Sequence, residues 1–342
     1  MNALTRPTIG VVGLGYWGSN LLRALMERED SDVAWVCDVD AERLARLARR
    51  YPQTKATANI EDLLTDSTLD AIVIATPVYT HEAIAAKSLV AGKHTFVEKP
   101  LARSTGAADE LIELARRRSL VLMCGLTFLY SPPVREIKRM IDDDHLGELY
   151  FVSSSRVNLG IHQPDVSVVW DLGPHDFSIL LYWLEQMPTA VRAVGRDAVM
   201  TGVPDVAFIN LTFPSGLLAN VELSWLAPGK LRRTVVVGSK KMVVYDDTST
   251  EPVKVFDHGV VYPDPETFGQ YQLSYRTGDV VSPALDTAEP ISLQLGDFIA
   301  AIAAGVTPPG HVGLARDVVA LAETADASLI RDSEWLRAPQ GS

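Results

Sequence analysis

Apolar residues along this chain follow two rhythms, and the change falls near residue 125. Before it, short unbroken apolar runs alternate with stretches of helical period. Thr8 to Val12 is apolar and β-branched, and Leu21, Leu22, Leu25 and Met26 then recur on one helix face. Val33 to Cys37, Ala71 to Ala75, Lys93 to Glu98 and Val121 to Cys124 read as further strands. Helices are expected over Ala41–Arg50, 59–65, Tyr79–Ala91 and Ser104–Arg118. Strands apolar on both faces, separated by helices, predict a parallel sheet covered on each side. After an amphipathic helix over 131–141, the period shortens. Leu149 to Val157 reads as a strand, and a helix opens at about Trp170 and runs to Leu184. Val206–Phe213 and Leu217–Trp225 flank Pro214-Ser215-Gly216, a hairpin signal, and Leu231–Val237 and Met242–Tyr245 flank Gly238-Ser239. Helices over Gln294–Ala304 and Leu314–Ile330 end the pattern.

Chemistry enters at the turns. The first strand runs straight into Gly13-Leu14-Gly15-Tyr16-Trp17-Gly18, and a helix follows. In that context Gly13 permits the tight turn, Gly15 lets a pyrophosphate approach the backbone, and Gly18 lets helix and strand pack closely. Tyr16 and Trp17 belong to the same candidate cofactor turn. The second strand ends at Asp38, where a carboxylate suits the ribose hydroxyls of an adenine dinucleotide and repels a 2′-phosphate. NAD is therefore expected over NADP, although Arg43 nearby leaves the phosphate question open. Asp38 also suits a helix N-cap, a task Asp40 performs at least as well. Thr76 and Pro77 follow the apolar strand at its ligand-facing end, where a proline-initiated helix explains them almost as well. His81, one turn further, faces either the cofactor or the packing. Glu98 and Lys99 close the next strand just before Pro100 and join the candidate cofactor contacts. Two solvated charges at a strand end are the plainer alternative.

Trp170-Asp171-Leu172-Gly173-Pro174-His175-Asp176 opens a helix, and proline fits best in a first turn. Gly173 then serves as a candidate N-cap. Asp171 and His175, four apart, project to one side near the helix start.

Composition narrows the partners. The 342 residues suit two domains, and 47% hydrophobic with 22% charged is ordinary for globular chains. A net charge of −12 argues against nucleic acid or an anionic membrane as partner. Cys37 and Cys124 are the only cysteines and show no metal-type spacing, so no metal site is expected. Neither a secretory signal nor an apolar run of membrane-spanning length is visible, so a cytoplasmic setting is the expectation.

The glycine turn, Thr76-Pro77, Glu98-Lys99-Pro100 and Asp171-Leu172-Gly173-Pro174-His175-Asp176 together resemble the glucose–fructose oxidoreductase and inositol dehydrogenase family. That resemblance implies an α/β fold: an N-terminal Rossmann domain with a doubly wound parallel sheet, here 1–124. It also implies a C-terminal α+β domain with an open, mostly antiparallel sheet for substrate and oligomer contacts, here 125–342. It implies an NAD-dependent dehydrogenase or ketoreductase acting on a sugar, nucleotide sugar or aminocyclitol. Lys99 would steady the developing alkoxide, His175 would take the hydroxyl proton, and Asp171 would orient His175 or hold a neighbouring hydroxyl. The Lys99–Pro100 bond is expected to be cis. A homodimer or homotetramer through the C-terminal sheet is expected, and the loop over 257–287 is assigned to oligomer contact or substrate closure. An NAD-dependent glycoside hydrolase and a non-catalytic nucleotide-binding regulator are the alternatives on the same fold.

Overall fold

The computed structural model describes residues 6–160, 162, 166–261, 274–308 and 310–330. The chain divides into two compact units, Met1–Pro132 with Asp286–Ala320 and Pro133–Leu285 with Leu321–Ser342. This differs from a single cut after residue 124, because a late helix and the first half of the next return to the first unit.

In the first unit the elements alternate as the apolar runs predict. They are β1 (Thr8–Val12), α1 (Tyr16–Met26), β2 (Asp32–Cys37), α2 (Ala41–Arg50), β3 (Lys55–Thr57), α3 (Glu61–Thr65), β4 (Ala71–Ile74), α4 (Val78–Val90), β5 (His94–Glu98), α5 (Thr105–Arg118) and β6 (Leu122–Gly125). All six strands are parallel, in the order β3-β2-β1-β4-β5-β6. Such an order reverses direction between β1 and β4, and ligands of open α/β sheets sit outside the strand ends at that point. Strand β3 was not foreseen: it has three residues, none of them buried, and so leaves no apolar run.

The second unit contains α6 (Pro132–Asp142), β7 (Leu149–Leu159), α7 (Val168–Leu184), β8 (Ala190–Arg196), β9 (Val206–Thr212), β10 (Leu218–Ser224), β11 (Leu226–Gly238), β12 (Met242–Asp246), β13 (Val253–Val261) and β14 (Ser274–Val281). Its eight strands run β14-β13-β12-β11-β7-β10-β9-β8, antiparallel except where β7 lies parallel to β10. Helix α7 packs on β7, β9 and β10. The last two elements among the described residues are the helices α8 (Pro290–Ala304) and α9 (His311–Ile330). Ile291, Leu295, Phe298 and Ile299 of α8 join the core of Leu21, Leu22, Leu25 and Phe96. That burial is what draws α8 into the first unit.

Two expectations need correction. The segment 257–287 is not one loop: β13 ends at Val261, and Ser274–Val281 pairs with it antiparallel. Tyr-Arg-Thr-Gly-Asp carries no apolar alternation because β14 is a sheet edge whose residues are largely exposed. Tyr262, Phe268 and Tyr271 lie outside the described residues, while Tyr275 is in β14. Helix α7, secondly, begins at Val168 with Ser167 as N-cap, so Gly173 is not the cap and Pro174 lies inside the helix. Val168 and Val169 are fully buried, and anchoring them extends the helix backwards past the point where proline alone would start it.

Candidate functional site

The glycine turn is built by contacts that exclude side chains at two of its three glycines. Gly13 has φ +85°, and a Cβ there would lie 2.6 Å from the Ala75 carbonyl oxygen. A Cβ on Gly18 would lie 1.7 Å from the carbonyl oxygen of Gly13, so α1 can start this close to β1 only with glycine. Gly15 is different. A Cβ there would meet no protein atom within 4 Å, so the fold itself does not require glycine. Gly15 is also the N-cap of α1, and no side chain caps that end. An open backbone at an uncapped helix N-terminus fits a pyrophosphate. Tyr16 and Trp17 stand beside it, 79% and 41% exposed, their rings edge to face at 5.3 Å.

Asp38 directly follows β2 and is buried. Its Oδ2 accepts the Leu14 N–H at 2.6 Å and its Oδ1 accepts the Asp40 N–H at 2.8 Å. Asp40, not Asp38, caps α2, accepting from Glu42 N and Arg43 N. Asp38 thus ties the glycine turn to the end of the neighbouring strand. The Arg43 guanidinium lies 3.7 Å from Asp38 and 3.2 Å from Asp40, answering both carboxylates.

At the ends of β4 and β5 the side chains divide their tasks. Thr76 follows β4, and its hydroxyl accepts from Thr80 Oγ1 at 2.6 Å, while Pro77 is the N-cap of α4. The structure gives His81 the packing role. It is 1% exposed, with Nδ1 2.8 Å from the Pro100 carbonyl oxygen and Nε2 2.8 Å from that of Thr76. Burial pulls its pKa down, and a neutral ring donates to only one of these two carbonyl oxygens at a time. Glu98 is also buried, its Oε2 accepting the Lys99 N–H at 3.1 Å. Its Oε1 has no hydrogen-bond partner among the described residues. Burial, only partly offset by Lys99, pushes this carboxyl up to about 7. Gly125 on β6 is opposite, and a Cβ there would come within 2.8 Å of Glu98 Oε1. Glu98 is therefore an interior group beneath the strand end, not a surface one. Lys99 is partly buried, and the Lys99–Pro100 peptide is cis.

In the second unit the candidates lie on α7. Asp171 is in its first turn and His175 one turn later, on the same side, both partly buried. The early start of α7 carries His175 into the second turn, beyond the reach of the helix-terminal dipole that a first-turn position would have given it. Asp171 Oδ2 accepts the indole N–H of Trp225 at 3.1 Å. Asp176, next to His175, is 2% exposed and takes Arg156 of β7, Nε to Oδ2 at 2.5 Å. Ser154 donates to Asp176 Oδ1 at 2.7 Å and lies 2.9 Å from the Thr234 hydroxyl. This network pins α7 to the sheet at the residue beside His175.

Gly13, Gly15, Gly18, Asp38 and Thr76 thus meet at adjacent strand ends of one sheet, and Lys99 directly follows a strand of that sheet. Asp171 and His175 share a helix face of the other unit. Sequence reasoning missed Arg156 and gave Trp225 no task. Nothing in the local pattern marks either, since their partners are 20 and 54 residues away.

Known proteins place the chain. A model described as an oxidoreductase family with an NAD-binding Rossmann fold matches residues 8–126, and the GFO/IDH/MocA C-terminal domain model matches 134–244. The chain belongs to the GFO/IDH/MocA oxidoreductase family. It is 33% identical over 227 residues to UDP-N-acetylglucosamine 3-dehydrogenase of Acidithiobacillus ferrooxidans, covering 66% of this chain and 69% of that one. Inositol 2-dehydrogenase 2 of Saccharopolyspora erythraea is 30% identical over 223 residues, 63% of this chain and 66% of the relative. Among solved structures, GenD2 from gentamicin A biosynthesis in complex with NAD has a TM-score of 0.80 at 25% identity, covering 96% and 95% of the two chains. Among the described residues, no helix is long and apolar enough to cross a membrane.

Proposed function

We propose that this protein is an NAD-dependent dehydrogenase interconverting a secondary alcohol and a ketone on a sugar, cyclitol or nucleotide sugar. The observation that carries this reading is the Gly13–Gly18 turn with Asp38 tied behind it. Its unrequired glycine at Gly15 leaves main chain accessible where a pyrophosphate would bind. NAD rather than NADP is favoured because two carboxylates engage the Arg43 guanidinium, leaving it poorly placed to hold a 2′-phosphate. Bound NAD supplies the hydride acceptor for alcohol oxidation.

The chain's own residues handle the proton and the charge. His175 takes the hydroxyl proton, Lys99 stabilises the negative charge that develops on that oxygen, and Asp171 holds His175 or a neighbouring hydroxyl. Relatives at 30% identity or more include a nucleotide-sugar and an inositol dehydrogenase, which supports this substrate class. A second copy of the chain covering the outer face of the eight-stranded sheet completes the reading.

A screen of UDP-N-acetylglucosamine, myo-inositol, aminocyclitols and simple sugars, with NAD and NADP in parallel, tests it by absorbance of the reduced nicotinamide. Net NADH formation with one of these alcohols is expected, and His175→Ala should then lower turnover ~10²–10⁴-fold with NAD affinity kept. Cleavage of a glycoside without net NADH, or full activity in His175→Ala, would replace the assignment.

A further inference from the structure

Among its described residues the second unit has two fully buried tryptophans, and they satisfy their indole N–H groups differently. Trp183 donates to a main-chain carbonyl, that of Val134, at 2.9 Å. This is the inexpensive solution for a buried donor. Trp225 instead donates to the Asp171 carboxylate on α7 at 3.1 Å.

The indole of Trp225 is held from several sides. It sits in the corner between β10 and β11, 1% exposed. Its main-chain N–H donates to the Asp205 carbonyl at 2.9 Å, and its own carbonyl accepts from Gly160 N at 2.9 Å. A Cβ on Gly160 would come within 2.5 Å of the indole Cδ1, so the chain there packs directly on the ring. The His162 ring meets it edge to face, centroids 5.2 Å apart. One N–H is thereby aimed at one carboxylate oxygen with little freedom to rotate away.

We propose that Trp225 is a positioning residue: it fixes the Asp171 carboxylate, and through it the proton-accepting geometry of His175 one turn further along α7. The inference rests on the roles proposed above for Asp171 and His175. An indole N–H suits the task because it donates only and does not change protonation in the working pH range. Whatever the state of the site, it presents Asp171 with the same donor. A charge-assisted hydrogen bond of this kind favours one carboxylate rotamer, and a general base is sensitive to sub-ångström displacement of its orienting partner.

The test is a double-mutant cycle in turnover, using the best alcohol from the screen with NAD. Trp225→Phe keeps an aromatic ring and removes the donor. Expected is a fall in kcat of about 10- to 100-fold with NAD affinity unchanged. In an Asp171→Ala background the same change should cost less than about 2-fold, because the group it acts through is gone. Trp35→Phe is the internal control. Trp35 also donates to a carboxylate, Asp66 at 2.7 Å, but on β2, so its loss should move stability and leave kcat alone.

If Trp225→Phe does not fold, benzothienylalanine at position 225 replaces the N–H by sulfur at nearly the same volume, and the same two comparisons apply. Equal losses in both backgrounds, or an unchanged kcat in the single variant, would overturn the role. His175→Ala separates the two levels of argument. If His175→Ala is inactive while Trp225→Phe is normal, only this inference fails. If His175→Ala is active, or the wild type turns over no alcohol, the functional reading fails and this role falls with it.

Discussion

The two sheets bury their polar groups in opposite ways. In the six-stranded sheet, β4 is buried throughout, and β1 and β5 are buried at every position but the first. The candidate site residues there stand at or just beyond strand ends: Gly13, Asp38, Thr76, Glu98 and Lys99. In the eight-stranded sheet β9 alternates buried and exposed along its length, and the interior face carries Ser154, Arg156 and Thr234 against Asp176 of α7. A sheet covered on both faces leaves its chemistry to the loops beyond the strands. A sheet covered on one face can place charge in its middle, provided each charge is paired. The ion pair then acts as a locating pin for the helix above it, and that helix carries Asp171 and His175.

The sharpest way to break this contrast is to remove one partner of the pair. Asp176→Ala removes the carboxylate that the buried Arg156 guanidinium, 4% exposed, donates to. A loss of about 3–5 kcal/mol is expected, measured by guanidinium denaturation. Replacing Arg156 and Asp176 together by Leu and Met should recover most of it. If the single variant loses under about 1 kcal/mol, the pair is not what locates α7.

The first unit answers with pH rather than with a large fixed cost. Glu98 is buried at a strand end, and its carboxyl is pushed from 4.5 up to about 7. It binds its proton more tightly folded than unfolded. Stability contributed by the neutral form is therefore present below pH 4.5 and lost as pH rises to about 7. With 1.36 kcal/mol per pH unit, the loss amounts to roughly 3 kcal/mol. Glu98→Gln should match the wild type near pH 4 and exceed it by about that much at pH 8, in denaturation series across pH. Parallel pH curves for the two proteins would show that Glu98 titrates as it does in the unfolded chain.

The same contrast decides what could be read from sequence. Two-face burial writes itself as continuous apolar runs, so β1, β2, β4, β5 and β6 were legible, and with them the glycine turn and Asp38. One-face burial was legible where the alternation is clean, in β9 and β10. It was not legible in β8 (Ala-Val-Arg-Ala-Val-Gly-Arg), where only Ala193 is buried, nor in β13 and β14 near the sheet edge. Asp171 and His175 could be placed on one helix face because helix periodicity is local. The contacts this helix makes with Trp225 and Arg156 depend on strand register over tens of residues, and no spacing rule reaches that far. Pro174 misled for a related reason: proline's preference for the first turn is a local tendency, and the burial of Val168 and Val169 outweighed it.

The smallest expected change in fold stability tests the outer face of the eight-stranded sheet. Phe151 on β7 lies directly opposite Leu218 on β10, and Phe208 on β9 opposite Glu222. The three apolar side chains are 42%, 56% and 45% exposed. Their neighbours Asn210, Asn220 and Ser153 are polar, so the face is neither a dry core nor an ordinary solvated surface. Such mixed faces suit contact between subunits, where an apolar centre is rimmed by polar groups. Leu218→Lys replaces a side chain that is more than half exposed, so the fold should lose less than about 0.5 kcal/mol. If a second copy covers this face, burying an unpaired ammonium there should shift sedimentation toward the monomer while circular dichroism is unchanged. A Leu218→Lys protein that sediments with the wild type would leave this face to solvent, and the one-sided burial of the second sheet would then be complete within a single chain.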